Sequence, residues 1–447
     1  MFARLLLTLG VLVTLALPGT LRAQPPLLTL QQAISQALNN NYDVLLAGEQ
    51  QRLAKNDYTV GNAGFLPRLT LSATPNLSVT TTQQQFANGN ELNVNNAVGQ
   101  QFNGGLNLGW TLFDGTAMFV NYRRLGTLLQ RAKLVSKQQL EQTTADVVRT
   151  YSDAVRLQRV LADLLRSREV SALRLRLAES RYRLGAADKI ELTQAQIDFL
   201  ADSANVVRQT QSLQLAKIAL NRLMARAPET DFSLQDSLPL VESLNFENLR
   251  RNALLANEQL LITQNDRSLS ELQVRLARAA YWPTLNLNTG FNVGYVNNPA
   301  GFVRRSLNQV FGLGATLQFN LFDGLNQRRI VRNALMNVNI ARTLLDRQRL
   351  ELESTLLSTW LQFEAARQVQ RIETRNYQLA GENLQLAGEA YRLGTLSGLE
   401  LKVIQADYLS ASSRVTNATH EVKQLETALL QLSSGLVSEL ETANRPR

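Results

Sequence analysis

The chain has 447 residues, with 46 Lys plus Arg against 37 Asp plus Glu, one His and no Cys. Without Cys there is no disulfide scaffold, thiolate metal site, Cys nucleophile or lipidated N-terminal Cys, and the lone His420 has no partner for a two-His metal site or a His-based catalytic constellation. Arg is interleaved with acidic residues and no block of five or six like charges occurs, so the excess of +9 does not point to nucleic acid, and the expectation is a non-enzyme with no cofactor and no metal.

Met1-Phe2-Ala3-Arg4, an apolar run from Leu5 to Leu17 and then Pro18-Gly19 read as a signal peptide over residues 1–23, with cleavage expected after Ala23. The run of 13 is short of the roughly 20 residues that span a bilayer as a helix, which disfavours the alternative of a membrane anchor. Removing Arg4 and Arg22 leaves 44 basic and 37 acidic groups, a mature excess of +7. No later segment approaches a transmembrane helix, so any membrane crossing must use strands.

Helical spacing of apolar residues predicts a helix over residues 29–63, through Ala33, Ala37, Val44 and Ala47, which Pro67 stops. Beyond Pro67 the period becomes two and predicts strands over about 66–80 and 101–113, with Leu69, Leu71, Leu106 and Leu108 on one face and Thr70, Ser72, Gly105 and Asn107 on the other. The Gln- and Asn-rich residues 80–101 between them are expected to be a flexible loop. Asp114 and Gly115 then form a turn into a helix over 116–184, and a shorter helix follows over 189–225.

The same order returns after a linker over 228–244 that holds Pro228 and Pro239. A helix is expected over 245–280, ended by Pro283, then strands over about 284–296 and 309–322 around a loop at 297–308. A turn at Asp323 and Gly324 leads into a long helix over 325–393, then a helix over 399–434 and a tail over 435–447. Leu112-Phe113-Asp114-Gly115 recurs as Leu321-Phe322-Asp323-Gly324, and Tyr182-Arg183-Leu184-Gly185 as Tyr391-Arg392-Leu393-Gly394, both at an offset of 209. One offset for two unrelated tetrapeptides marks a duplication, with repeats over 24–227 and 245–434. Phe65-Leu66-Pro67 matches Tyr281-Trp282-Pro283 at 216, placing a seven-residue difference in the loop between.

In each repeat two short helices total 72 residues beside a long one of 69, so they are expected to stack end to end against it. The polar alternate faces of the strands suit a wet lumen. Aromatic residues at the strand ends, Phe65, Trp110, Phe113, Tyr281, Trp282 and Phe322, suit either an interfacial girdle or the cap of a core.

The order of helix, Pro, strand, polar loop, strand, Phe-Asp-Gly, long helix, Tyr-x-x-Gly and helix, repeated over nearly the whole mature chain, resembles the TolC-like outer membrane efflux proteins. That resemblance implies a mainly α fold with a membrane β-barrel portion: a homotrimer in which each chain gives four strands to a 12-stranded barrel and its helices to a periplasmic tunnel. Four strands alone are too few to close a membrane barrel, whose smallest forms have about 8.

The implied function is a passive exit duct in the outer membrane, fed by an inner-membrane transporter and a periplasmic adaptor, in contact with outer membrane lipid. A gate is implied at the two helix corners, with Tyr182, Tyr391, Glu191, Glu400, Arg183 and Arg392 as gate candidates and Gly185 and Gly394 as adaptor-docking candidates. Where some members carry Arg two residues after the second corner Gly, this chain has Leu396, so a latch would have to use Arg183 or Arg392 or be absent. Glu191 and Glu400 also read as solvated helix residues, Gly185 and Gly394 as helix caps, and His420 as a surface residue. A periplasmic coiled-coil scaffold would explain the long helices alone, and a general porin the strands alone.

Overall fold

The computed structural model describes residues 26–235, 240, 244–301 and 303–436; the expected signal peptide, Pro239 and the tail beyond 436 lie outside them. In chain order the elements are β1 (Leu27–Leu28), α1 (Leu30–Asn40), α2 (Tyr42–Asp57), α3 (Val60–Ala63), β2 (Arg68–Gln85), β3 (Glu91–Phe113), α4 (Ala117–Arg183) and α5 (Lys189–Leu223). The second half follows as β4 (Ser233–Leu234), α6 (Phe246–Ala256), α7 (Glu258–Ala279), β5 (Thr284–Asn297), β6 (Arg305–Gln318), α8 (Asn326–Arg392) and α9 (Gly398–Leu432). At 67 residues each, α4 and α8 run for roughly 100 Å. No helix among the described residues is long and apolar enough to cross a membrane.

The four long strands form one antiparallel sheet in the order β2-β3-β5-β6. Its register sorts the side chains onto two faces. The rung Leu71, Leu106, Phe291 and Phe311 lies on one face, and the next rung, Ser72, Gly105, Asn292 and Val310, on the other. Along the apolar face Leu71 and Phe311 are 81% and 73% exposed, which is a large penalty in water and none in hydrocarbon. On the polar face Asn107 and Asn292 exchange amide hydrogen bonds at 3.4 Å, and Thr111 donates to Asn286 at 2.9 Å. Gly105 and Gly290 leave room for those amides: a Cβ at Gly105 would lie 1.9 Å from Asn292 Oδ1, and one at Gly290 2.3 Å from Asn107 Oδ1.

The expected loops are largely strand. β2 continues to Gln85 and β3 starts at Glu91, so residues 80–101 form a hairpin closed by a turn at 86–90, with a bulge between Thr80 and Thr82. Alternating Thr, Gln, Asn and Val are compatible with pairing, and a polar strand looks like a loop in sequence when neither face must be buried. The second hairpin likewise narrows its loop to 298–304.

The expected helices over 29–63 and 245–280 are broken at Asn41 and Asn257, which are also 216 residues apart, and the first is broken again at Tyr58 and Thr59. Asn41 caps α2 by accepting from the N–H groups of Asp43 (2.9 Å) and Val44 (3.3 Å), while its amide donates to the carbonyl of Leu223 at the end of α5 (2.9 Å). Asn257 does the same for α7 and α9, accepting from Leu260 N–H (3.0 Å) and donating to Leu432 O (3.1 Å). One buried side chain thus satisfies both a free N–H and a free C=O where two helices meet end to end. The short helices α1 and α6 turn aside there. Each seats its apolar face in a core cluster, Ile34 and Ala37 with Tyr151, Leu220 and Phe232, and Leu249 and Ala253 with Leu356, Phe363 and Leu429. Tyr151 donates to Leu28 O (2.9 Å) and accepts from Gln235 N–H (3.3 Å), tying the parallel pair β1 and β4 to the middle of α4.

Two outcomes test these assignments. Leu106→Arg, on the apolar face at mid-strand, should cost on the order of 2–4 kcal/mol in a bilayer, whereas Asn107→Arg should be tolerated. Urea titration of refolded protein in vesicles measures both, and equal losses would refute the two faces. Asn257→Ala should destabilise by about 1–2 kcal/mol, since it removes a cap and leaves the Leu432 carbonyl unpaired. Thermal melting with Asn257→Asp as a second variant checks this, because Asp keeps the cap but cannot donate.

Candidate functional site

The chain reverses direction at two corners, between α4 and α5 and between α8 and α9. At each, Gly sits in the left-handed region, with φ of +71° at Gly185 and +78° at Gly394. The reversal is fixed by paired backbone bonds, Gly185 N–H to Tyr182 O (3.0 Å) with Ala186 N–H to Arg181 O (2.8 Å), and Gly394 N–H to Tyr391 O (3.1 Å) with Thr395 N–H to Ala390 O (3.0 Å). This is the αL termination that favours Gly, for which any side chain carries a backbone penalty. A Cβ at Gly185 would meet nothing within 4 Å, and one at Gly394 only Arg181 Nη2 at 3.9 Å. Both corners are therefore open to an approaching partner.

The next helices start at Asp188 and Ser397, which accept from the N–H groups of Glu191 (2.7 Å) and Glu400 (3.2 Å). Glu400 returns the bond, its carboxylate accepting from Ser397 N–H at 2.9 Å, and these Ser397 bonds hold its carboxyl below the usual range. Glu191 instead pairs with Arg181 at 3.6 Å. The two acidic residues share a sequence position but have different local partners.

The corner tyrosines diverge further. Tyr182 is 43% exposed, whereas Tyr391 is 3% exposed and packs with Ala387 and Leu401 against Val170, Leu177 and Leu396. Burial raises the Tyr391 phenol above its ordinary value, and the nearby Arg181, 6.0 Å over the ring, opposes that shift. Leu396 thus fills apolar space. Arg183 bonds the Glu179 carbonyl of its own helix (3.4 Å) and Arg392 pairs with Glu389 one turn away (3.7 Å), so within one chain neither bridges the repeats.

The bridge between repeats is built from residues the motifs did not flag. Asp198 on α5 is ion-paired to Arg174 on α4 and, at 2.7 Å, to Lys402 on α9. Burial lowers the Arg174 guanidinium from its ordinary value. Farther from the corner, the Gln405 amide donates to Ser167 O (3.0 Å) and Ser171 Oγ (3.2 Å). Asp163 accepts from Tyr408 (2.9 Å) and from Ser412, and Tyr377 and Tyr408 share a bond of 3.1 Å. Burial is the first cause raising the Tyr408 phenol well above its usual range. His420 belongs to this series and not to the surface: it is half-buried, its Nδ1 2.9 Å from Ser152 Oγ on α4, and burial lowers its pKa. The α4–α9 contact is therefore a column of polar bonds over much of its length.

At the other end of the helices, Asp114 and Asp323 cap α4 and α8 by accepting from Met118 N–H (2.8 Å) and Gln327 N–H (2.6 Å). Gly115 and Gly324 both have φ of +67°. A Cβ on Gly115 would lie 2.3 Å from Ala279 O, so this turn tolerates only Gly. Phe65 packs edge-on to Phe119 at 5.0 Å and Trp110 donates to Phe65 O at 2.9 Å, whereas Tyr281, Trp282 and Phe322 are 48%, 62% and 80% exposed. At this level Phe65 is half-buried by its ring contacts and the other rings are exposed. Among the described residues no His, Cys, Asp and Glu group could hold a metal ion.

The same architecture occurs in the Campylobacter jejuni CmeC outer membrane channel, with a TM-score of 0.76 and 16% identity over 92% of this chain and 88% of that one. It occurs too in the Vibrio cholerae outer membrane protein VceC (TM-score 0.71, 17% identity, 91% and 96% covered). The open state of the Neisseria gonorrhoeae MtrE outer membrane channel is similar (TM-score 0.71, 16% identity, 91% and 89% covered). None of the curated proteins compared with the chain is a match. The family of outer membrane efflux proteins matches over residues 33–226 and 249–435, one segment in each half of the duplication. The chain belongs to the outer membrane efflux protein family, an outer membrane channel that projects into the periplasm.

Proposed function

We propose that three copies of this chain close one barrel and one tunnel, which passively conducts cargo brought by an inner-membrane transporter through a periplasmic adaptor. The observation that carries this reading is that the protomer is open on both edges along its whole length. β2 and β6 each have one unpaired side, and the helices end in two apolar seams. Ile372, Leu379 and Leu386 on α8 and Leu393 at its C-cap recur every seven residues and are 48–79% exposed; on α5, Ile190, Ile197, Leu200 and Val207 step by seven, three and seven and are 54–77% exposed. Across the protomer the helices lie in the order α8, α9, α4, α5, so these seams are the two outer edges and complement each other as coiled-coil positions. Joining β6 to β2 of the next copy would use 12 strands, enough to close a lumen around the polar face.

In such a trimer the corners converge at the tip. Two rings of three carboxylates, from Glu191 and Glu400, would favour cations in a narrow mouth. Opening would move α8 and α9 against α4 and α5 along the polar column, with Asp198, Arg174 and Lys402 as the bond nearest the tip. Gln at residue 400 preserves its capping geometry, so Glu191→Gln with Glu400→Gln removes charge and leaves the fold. In planar bilayers this double variant should lose most of its cation selectivity and its block by trivalent cations, while still running as a trimer on gels. An unchanged reversal potential and block would place both residues away from the pore.

Docking is tested separately. Bulky replacements at Gly185 and Gly394 enter open space, so beyond a backbone cost of roughly 1–2 kcal/mol they should leave trimers in the outer membrane. Export and crosslinking to the adaptor should both fall. Parallel loss of trimers and export would reduce the two glycines to folding requirements.

A further inference from the structure

The net charge of the chain is concentrated in one band. Four short stretches join helices to strands, residues 60–68, 114–124, 275–284 and 319–332. The first holds Arg68, the second Arg123 and Arg124, the third Arg275 and Arg278, and the fourth Arg328, Arg329 and Arg332. Their acidic residues are Asp114 and Asp323, both used as helix caps. Eight minus two gives +6, nearly the whole mature excess of +7, within a layer of about 10 Å of helix below the barrel. Extending each stretch by one or two helical turns, to 55–68, 114–131, 268–284 and 319–339, adds Lys55 and Arg131 against Asp57 and Glu271 and leaves the sum at +6.

Farther along the helices Arg131, Lys137, Arg149, Arg156, Arg174 and Lys402 are all ion-paired. Among the described residues, none of the eight forms an ion pair. The Nε of Arg124 is buried without a hydrogen-bond acceptor. Three of them sit in the first two turns of α8, which, like α4, has no acidic residue in its first turn. Cations there oppose the positive end of the helix dipole, which the single Asp323 carboxylate offsets in part, so an anion from outside the chain would stabilise the placement further.

The band has a defined neighbour. It lies directly under the outward apolar face of the sheet and beside the exposed rings of Tyr281, Trp282 and Phe322, at the level where a membrane passes from acyl chains to headgroups. We propose that this arginine band is a binding collar for anionic phospholipid of the periplasmic leaflet, in which guanidinium groups hold the lipid phosphates while the aromatic rings enter the acyl boundary. Arg suits this task better than Lys because its planar fork meets phosphate oxygens in pairs. The inference rests on the outer membrane location of the family and on neither the gate nor the adaptor.

The test uses the full-length assembled protein in vesicles of phosphatidylethanolamine mixed with phosphatidylglycerol, followed by native mass spectrometry of the retained lipid. The parent should retain phosphatidylglycerol in excess of its share of the vesicle, and the excess should shrink as salt is raised. Arg328→Gln with Arg329→Gln and Arg332→Gln should lower that excess by on the order of tenfold or more. The matching triple Lys variant, which keeps the charge, should retain an intermediate excess and guards against loss of assembly in the Gln variant. Three outcomes would overturn the collar. Equal retention of both lipids by the parent means no preference, and an unchanged excess in the Gln variant means that these arginines face the lumen or a neighbouring copy. Displacement of the lipid by inorganic phosphate alone means a simple anion site. Failure of the parent to assemble would bear on the trimer reading, and in that case the same lipid measurement on the monomer still decides the collar.

Discussion

Hydrocarbon offers no hydrogen bonds, and that constraint governs this chain from the sheet outward. The strands β2 and β6 each present a row of N–H and C=O groups with no partner, and the apolar face between them is exposed where only lipid makes exposure favourable. A lone four-stranded sheet with two bare edges is unstable in a bilayer, since each unsatisfied backbone group costs several kcal/mol. In the proposed trimer, closure with other copies is the remedy, and strands shared in a ring would bring the helices that continue them into a ring as well. In that trimer the exposed apolar seams on α5 and α8 would be covered by the same closure.

Within a protomer, the problem is to build a wall about 100 Å high from a chain that must pass up and down it. The duplication solves this with one continuous helix and one spliced pair per repeat. The splice depends on Asn41 and Asn257, whose side chains can accept at one helix start and donate to another helix end at the same time. Neither Asp nor Ser can do both in that geometry, because Asp lacks the donor and Ser has a single short hydroxyl. The repeats also diverge at the corners, where Tyr182 and Tyr391, or Glu191 and Glu400, occupy equivalent positions in dissimilar surroundings.

What the residues disclosed in advance followed from periodicity. Alternation at Leu69, Leu71, Leu106 and Leu108 marked the two faces because one face must be apolar, and the offset of 209 marked the repeat because two motifs shared it. The helix breaks were invisible for the opposite reason: Asn41 interrupts no hydrophobic pattern, and its role appears only when the end of α5, 182 residues away, is brought beside it. Strand in residues 80–101 was hidden by polarity, since neither face there is required to be apolar. The bond from Asp198 to Arg174 and Lys402 was hidden by distance in sequence, as was His420 against Ser152. A single charged residue on a long helix gives no sign of which neighbour will bury it.

The length of the first hairpin has a consequence for the other side of the membrane. Pairing between β3 and β5 stops at Gln100 and Asn297, yet β2 and β3 go on pairing to Gln85 and Glu91, so a two-stranded ribbon rises about 27 Å past the sheet. Its tip is a tight turn at Ala87-Asn88-Gly89, and between Ser78 and Gly99 its only charged residue is Glu91. The part of the molecule that meets the cell's surroundings is therefore an almost uncharged mast, whose sequence bears on neither barrel closure nor the tunnel. An exposed tip of this kind is a place where a foreign epitope could be displayed with little disturbance to the sheet below it.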